Sequence, residues 1–70
     1  MESARCKAFV TAAETGSFSK AGEVLGYTPS GVSQLLTSLE RELGLPLLGR
    51  NRKGVTLTEN GRRLLPAVRE

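Results

Sequence analysis

Apolar positions recur at helical spacing in most of this chain and alternate in strand fashion only near residues 55–57. From Met1 to Thr15 the spacing predicts a helix in which Cys6, Phe9, Val10 and Ala13 form one apolar stripe and Ala4, Ala8 and Ala12 add helix propensity. Gly16 is a C-terminal stop, and Phe18 is expected to plug the core between this helix and the next. A short second helix is predicted from Lys20 to Leu25 with Ser19 as its N-cap, Ala21 and Leu25 facing inward, and Val24 as a third candidate. Gly22 inside it costs about 1 kcal/mol relative to Ala, which a close helix crossing would explain. Gly26, Tyr27 and Thr28 make a tight turn. A longer helix follows, with Thr28 as N-cap, Pro29 at its first position and a buried face of Val32, Leu36, Leu39 and Leu43. Gly44 ends it. Glu40, Arg41 and Glu42 read as a solvated face; Leu35, off the main stripe, is assigned to burial over exposure at a ligand surface.

Beyond Gly44 the pattern changes. Leu45, Leu47 and Leu48 around Pro46 read as a short apolar strand or extended segment, and Val55-Thr56-Leu57 alternates apolar, polar, apolar. The basic run Gly49-Arg50-Asn51-Arg52-Lys53-Gly54 joins them, which predicts a small hairpin. Thr58 then caps a last helix, Glu59 to Glu70, with Leu64, Leu65 and Val68 on its apolar side and Pro66 as a kink. The chain stops there without a C-cap, so this helix is expected to continue in a longer parent protein. Two helices joined by a short Gly-containing turn are the helix-turn-helix pattern, whose second helix enters the DNA major groove. With the hairpin beside it, the expected fold is mainly α: a winged helix-turn-helix with a three-helix core and a two-stranded wing.

Composition narrows the function. Seventy residues allow one small domain, and a chain of that size buries only about 60% of its unfolded surface. Cys6 is the only cysteine, so no internal disulfide exists, and it is read as a small buried apolar residue. There is no histidine, so a zinc site would have carboxylates alone; no metal or cofactor is expected. No apolar run has the length of a membrane span and no signal-peptide pattern opens the chain. A single thiol fits a reduced, cytoplasmic setting. Ten Lys and Arg stand against seven Asp and Glu, a net charge of +3. Their placement says more than their sum: Arg50, Arg52 and Lys53 cluster in the wing, while no Lys or Arg occurs between Pro29 and Glu40.

The long helix therefore offers a small, uncharged, polar surface for base edges. Ser30, Ser33 and Thr37 can donate and accept, and Gln34 can pair bidentately with adenine, a contact that discriminates by about 1–3 kcal/mol. Arg50, Arg52 and Lys53 would neutralise phosphates or enter a narrow minor groove.

The residues Phe9-Val10, Ala13-Glu14, Gly16-Ser17-Phe18, Ala21, Leu25, Thr28-Pro29-Ser30, Val32-Ser33, Leu39-Glu40, Glu42-Leu43-Gly44, Arg50, Gly54-Val55, Leu57-Thr58 and Gly61, in this order and spacing, resemble the N-terminal DNA-binding domain of LysR-type transcriptional regulators. The resemblance runs without a gap from the first helix to the start of the last. It implies that Thr28, Pro29, Ser30, Ser33 and Gln34 line the DNA-facing start of the recognition helix, that Lys53 reaches the minor groove, and that Arg50 lies near the DNA backbone. It further implies that residues 1–58 are the DNA-binding unit and 59–70 the start of a linker helix through which members pair as homodimers or higher oligomers. A small-molecule effector would bind a C-terminal domain that these residues do not include. The partner is then double-stranded DNA with a partly palindromic operator. Residues 1–70 alone are expected to dimerise weakly. The chain departs from the pattern at Gln34, where many members have Arg, and at Leu35, where many have Gln. Gly22 and Gly31 replace a more usual Ala, and Leu48 a more usual Phe.

Other readings compete. A molybdate-responsive or other winged-helix regulator shares the class. A winged helix that binds a protein and no DNA is the alternative, against which the basic wing argues. An enzyme would lack a base or nucleophile, given no His, one thiol and no clustered carboxylates.

Overall fold

The computed structural model describes residues 3–51 and 54–69. Among them the order is α1 (Ala4–Thr15), α2 (Phe18–Leu25), α3 (Pro29–Leu43), β1 (Leu48–Asn51), β2 (Gly54–Leu57) and α4 (Glu59–Arg69). This is the winged helix-turn-helix expected from the sequence.

Local chemistry sets the helix ends. The Ser3, Ser17 and Thr28 hydroxyls each sit on extended backbone and accept from the N–H three residues on, at Cys6, Lys20 and Gly31. Gly16, Gly26 and Gly44 close α1, α2 and α3 in the left-handed region, φ 72–82°, which glycine adopts without a Cβ penalty. Two expected boundaries move. Helix α1 starts at Ala4, because Ser3 is its cap, while Met1 and Glu2 lie outside the described residues. Helix α2 starts at Phe18 rather than Lys20, because Ser17 and not Ser19 is the cap. The last helix is described to Arg69, and it runs through Pro66.

The core has two parts. Where α1, α2 and α3 meet, Ala8, Ala12, Ala21 and Val32 are fully buried, with Leu25 and Leu35 packed half-buried against them. Ala8 and Ala12, read from the sequence as propensity alone, are thus the thin floor that lets helices approach. The second part joins α1 and α3 to the wing root and α4 through Phe9, Leu36, Leu39, Leu47 and Leu65. Phe18 touches both parts, and buried Cys6 behaves as a small apolar residue. Val24 and Leu43, expected inside, are exposed, at 68% and 44%. Val24 falls on the outer side of a helix too short to be covered twice, and Leu43 is the last residue of α3.

The first strand begins later than expected, and the second one residue earlier, at Gly54. The chain from Leu45 to Leu47 is not a strand: Leu45 is exposed, Leu47 is fully buried, and β1 runs from Leu48 into the basic run. It pairs antiparallel with β2 in the register Leu48↔Leu57, Gly49↔Thr56, Arg50↔Val55, Asn51↔Gly54. The root of this hairpin is tied down by tertiary bonds. Val55 N–H donates to the Gly16 carbonyl at 3.0 Å, and Thr58 N–H to the Leu47 carbonyl at 3.0 Å. Thr58 Oγ1 donates to the Pro46 carbonyl at 2.7 Å and accepts from Gly61 N–H at 3.0 Å, capping α4. Glu40, expected on a solvated face, turns inward. Its Oε2 accepts from Leu47 N–H at 2.6 Å and Leu48 N–H at 3.0 Å, bonding α3 to the start of the wing. Its neighbour Glu42 pairs with Arg5, and Arg41 stays exposed.

Candidate nucleic-acid interface

Positions 30, 33, 34 and 37 stand three, four and seven residues apart, so they share one face of α3 opposite the buried Val32, Leu36 and Leu39. Ser30, Gln34 and Thr37 are exposed on it; Ser33 is half-buried. The face carries no formal charge, so it can approach base edges without displacing a counter-ion of its own.

The start of α3 is set by its cap. Thr28 Oγ1 is engaged by Gly31 N–H at 3.0 Å, and the Thr28 carbonyl by Val32 N–H at 3.0 Å. Pro29 has no N–H to offer. Ser30 N–H is therefore the first-turn donor that the described residues leave open, at the positive end of the helix dipole. A tight turn holds this end in place: Gly26 and Tyr27 N–H both reach the Gly22 carbonyl, at 2.7 and 2.9 Å. Gly22 is small because of that turn rather than a helix crossing. A Cβ there would lie 2.4 Å from the Tyr27 carbonyl oxygen.

Of the expected basic residues, Arg50 is described and Arg52 and Lys53 lie outside the described residues. Arg50 projects from β1 toward α3. Its guanidinium lies 4.5 Å from the centroid of the Phe18 ring, and its Nη2 donates to Ser33 Oγ. The structure thus brings Ser33 and Arg50 into contact across 17 residues of sequence. Thr28 and Pro29 stand at one end of the same face and Thr37 one turn past Ser33. Phe18 was read from the sequence as core alone; its second role, as the seat of a wing arginine, has no local signal, since ring and guanidinium are 32 positions apart.

No described helix is long and apolar enough to cross a membrane.

Comparison with known proteins places this geometry. The model of the bacterial regulatory helix-turn-helix proteins of the lysR family matches residues 4–62. An uncharacterized HTH-type transcriptional regulator from the ibpB-leuC intergenic region of Azotobacter vinelandii is 48% identical over 66 residues, covering 94% of this chain and 46% of that protein. The uncharacterized HTH-type transcriptional regulator YvbU of Bacillus subtilis is 45% identical over 65 residues, 91% of this chain and 22% of its own length. The chain thus spans less than half of either relative. Among solved structures, the DNA-binding domain of CbnR in complex with DNA superposes with a TM-score of 0.91 at 32% identity, covering 99% of this chain and 79% of that one. With a matching family model across most of its length and the same winged architecture, this chain belongs to the lysR family of bacterial regulatory helix-turn-helix proteins.

Proposed function

We propose that this chain is the sequence-reading DNA-binding domain of a bacterial LysR-type transcriptional regulator. Helix α3 lies in the major groove and the wing on phosphate and the minor groove. The observation that carries this is the uncharged face of Ser30, Ser33, Gln34 and Thr37, with the wing's Arg50 joined to it at Ser33. A helix about 10–12 Å across fits that groove, and its first turns meet base edges. The superposition on a DNA-bound domain supports DNA as the partner over a protein-only module. In the proposal Thr28 and Pro29 set the helix against the backbone, with Ser30 N–H toward a phosphate. Ser33, Gln34 and Thr37 read bases. Arg52 and Lys53, in sequence between the paired strand ends, supply phosphate or minor-groove contacts. No step of this function needs a catalytic group, metal or cofactor, and it is exercised on the chromosome in the cytoplasm.

A salt titration tests it. The logarithm of affinity for a duplex should fall linearly with the logarithm of salt concentration, by about 0.9 per phosphate neutralised. Absence of binding at low salt favours a protein-interaction module instead.

Two substitutions separate reading from anchoring. Gln34→Ala should relax preference at one base position and leave affinity for random DNA nearly unchanged. Lys53→Ala should weaken all sequences alike, apart from any A·T preference read by the wing. Identical behaviour of the two variants on selected and random duplexes would refute these roles.

We take residues 1–58 as the DNA-binding unit and 59–70 as the start of a linker helix, with pairing of two copies placing two α3 helices on half-sites about one helical turn, or a multiple, apart. Operators are then partly palindromic, and a small-molecule effector would act through a further domain outside these residues. Leu65 of α4 is already committed to the domain's own core, so residues 1–70 offer little linker surface for a second copy. Sedimentation should find them largely monomeric at micromolar concentration; a tight dimer there is the contrary result.

A further inference from the structure

Among the described residues, the guanidinium of Arg50 meets the Phe18 ring face and Ser33 Oγ. These belong to three elements. Phe18 opens α2, Ser33 is on the reading face of α3, and Arg50 is in β1 of the wing. A planar guanidinium stacks on a ring while its in-plane N–H groups remain free to donate, which a lysine ammonium cannot reproduce. The side chain is therefore held by geometry as well as by charge.

The bond also sets the chemistry of Ser33. Arginine has donors only, so Ser33 Oγ is the acceptor in this pair. The serine hydroxyl still carries its own hydrogen. Arg50 occupies one of the two oxygen lone pairs from the wing side, and a charged donor polarises the hydroxyl, which strengthens it as an outward donor and weakens its remaining lone pair as an acceptor. We propose that Arg50 is a positioning residue for base reading: it clamps wing to recognition helix over Phe18 and polarises Ser33 toward donating, so that Ser33 favours a base-edge acceptor. In the major groove those acceptors are purine N7, guanine O6 and thymine O4, whereas the amino groups of adenine and cytosine offer only donors. The reading this gives to Ser33 differs from that of Gln34, which can both donate and accept.

This inference rests on the DNA-binding reading above, and the two fail differently. The probe is a duplex selected by the unmodified chain from a random pool, compared with a random duplex, each over a range of salt. If the unmodified chain binds neither, the DNA-binding reading itself falls. Given binding, Ser33→Ala and Arg50→Ala should each weaken the selected duplex by about tenfold, the loss of one hydrogen bond to a charged or base group. The double variant should lose little more than the larger single one, because both act through one contact. Ser33→Ala removes no charge, so its salt slope should hold; Arg50→Ala removes one positive charge and should weaken both duplexes, with the larger loss on the selected one. Arg50→Lys, which keeps the charge and loses the planar stack, should lose as much of the selected-over-random ratio as Arg50→Ala. Replacing purines singly by their 7-deaza forms, or thymine O4 by sulfur, should reveal one position to which Ser33→Ala has become insensitive. Arg50 is exposed and Ser33 half-buried, and a melting curve for each variant establishes that it is folded before its binding is read. Equal losses on selected and random DNA in Arg50→Ala, or full rescue of the selected-over-random ratio by Arg50→Lys, would make Arg50 a simple phosphate contact and overturn the proposal.

Discussion

Gly61→Ala should lower the melting temperature of this domain by about 10–20 °C, although Ala is the better helix former by about 1 kcal/mol. The reason is not in α4. A Cβ at position 61 would lie 2.2 Å from the Leu47 carbonyl oxygen and 2.9 Å from Leu57 Cδ2. The first of these is backbone and is already engaged, since Leu47 accepts from Thr58 N–H. Moving it displaces the fully buried Leu47 side chain and the α4 cap together. Overpacking of this kind costs about 1–3 kcal/mol, and a backbone obstacle puts it at the upper end. For a domain of this size, whose whole stability is roughly 4–10 kcal/mol, that is a large share. Circular dichroism melting curves decide it: a variant as stable as its parent would show that α4 does not press on Leu47 as described.

Glu40→Ala should cost about 2–4 kcal/mol, because it removes the acceptor of two backbone N–H groups, one of them on a residue with a fully buried side chain. Glu40→Gln keeps one acceptor oxygen and loses the charge, so it should cost about half as much. Urea unfolding of the three proteins gives the ranking. The effect on DNA is the sharper test. Losing a carboxylate makes the chain more positive and should by itself raise affinity for any duplex. The structure instead predicts a fall for the folded variant, because Glu40 holds the start of β1 and with it Arg50. Higher affinity of Glu40→Ala for the selected duplex would show that the wing root does not depend on this bond.

These two residues mark where a reading of the sequence stops. Gly61 could be noticed only as a helix glycine, and Glu40 only as one of three charged residues in a row. What each does is set by the chain at Leu47, 14 positions before the one and seven after the other. By contrast, the turn of Gly26, Tyr27 and Thr28, the cap at Thr28 and the stops at Gly16 and Gly44 lie where their own residue types put them. Those interactions close within three to five residues. The alternative caps for α2 show the limit even there: Ser17 and Ser19 are equally good chemically, and the position of Phe18, shared between both parts of the core, decides for Ser17.

The polar face proposed to read DNA belongs to the same division. Helical spacing alone put Ser30, Ser33, Gln34 and Thr37 on one side of α3 and Val32, Leu36 and Leu39 on the other, because a period of 3.6 residues leaves no freedom once the helix exists. The basic wing was legible as a glycine-bounded run between two apolar segments, though its first strand proved to start at Leu48 and to include Gly49 and Arg50. Spacing could not say that Arg50 would turn onto Phe18 and Ser33, that Glu40 would bond the wing root, or that Val24 and Leu43 would stay in solvent. Those outcomes depend on which surface each helix meets. By itself the sequence determined the order of the elements, the glycine stops of the first three helices and which residues share the polar face of α3, since each follows from chemistry within a turn or two of chain. The tertiary structure alone decided how the wing is joined to the recognition helix, because that joint is made of contacts between residues far apart in the chain.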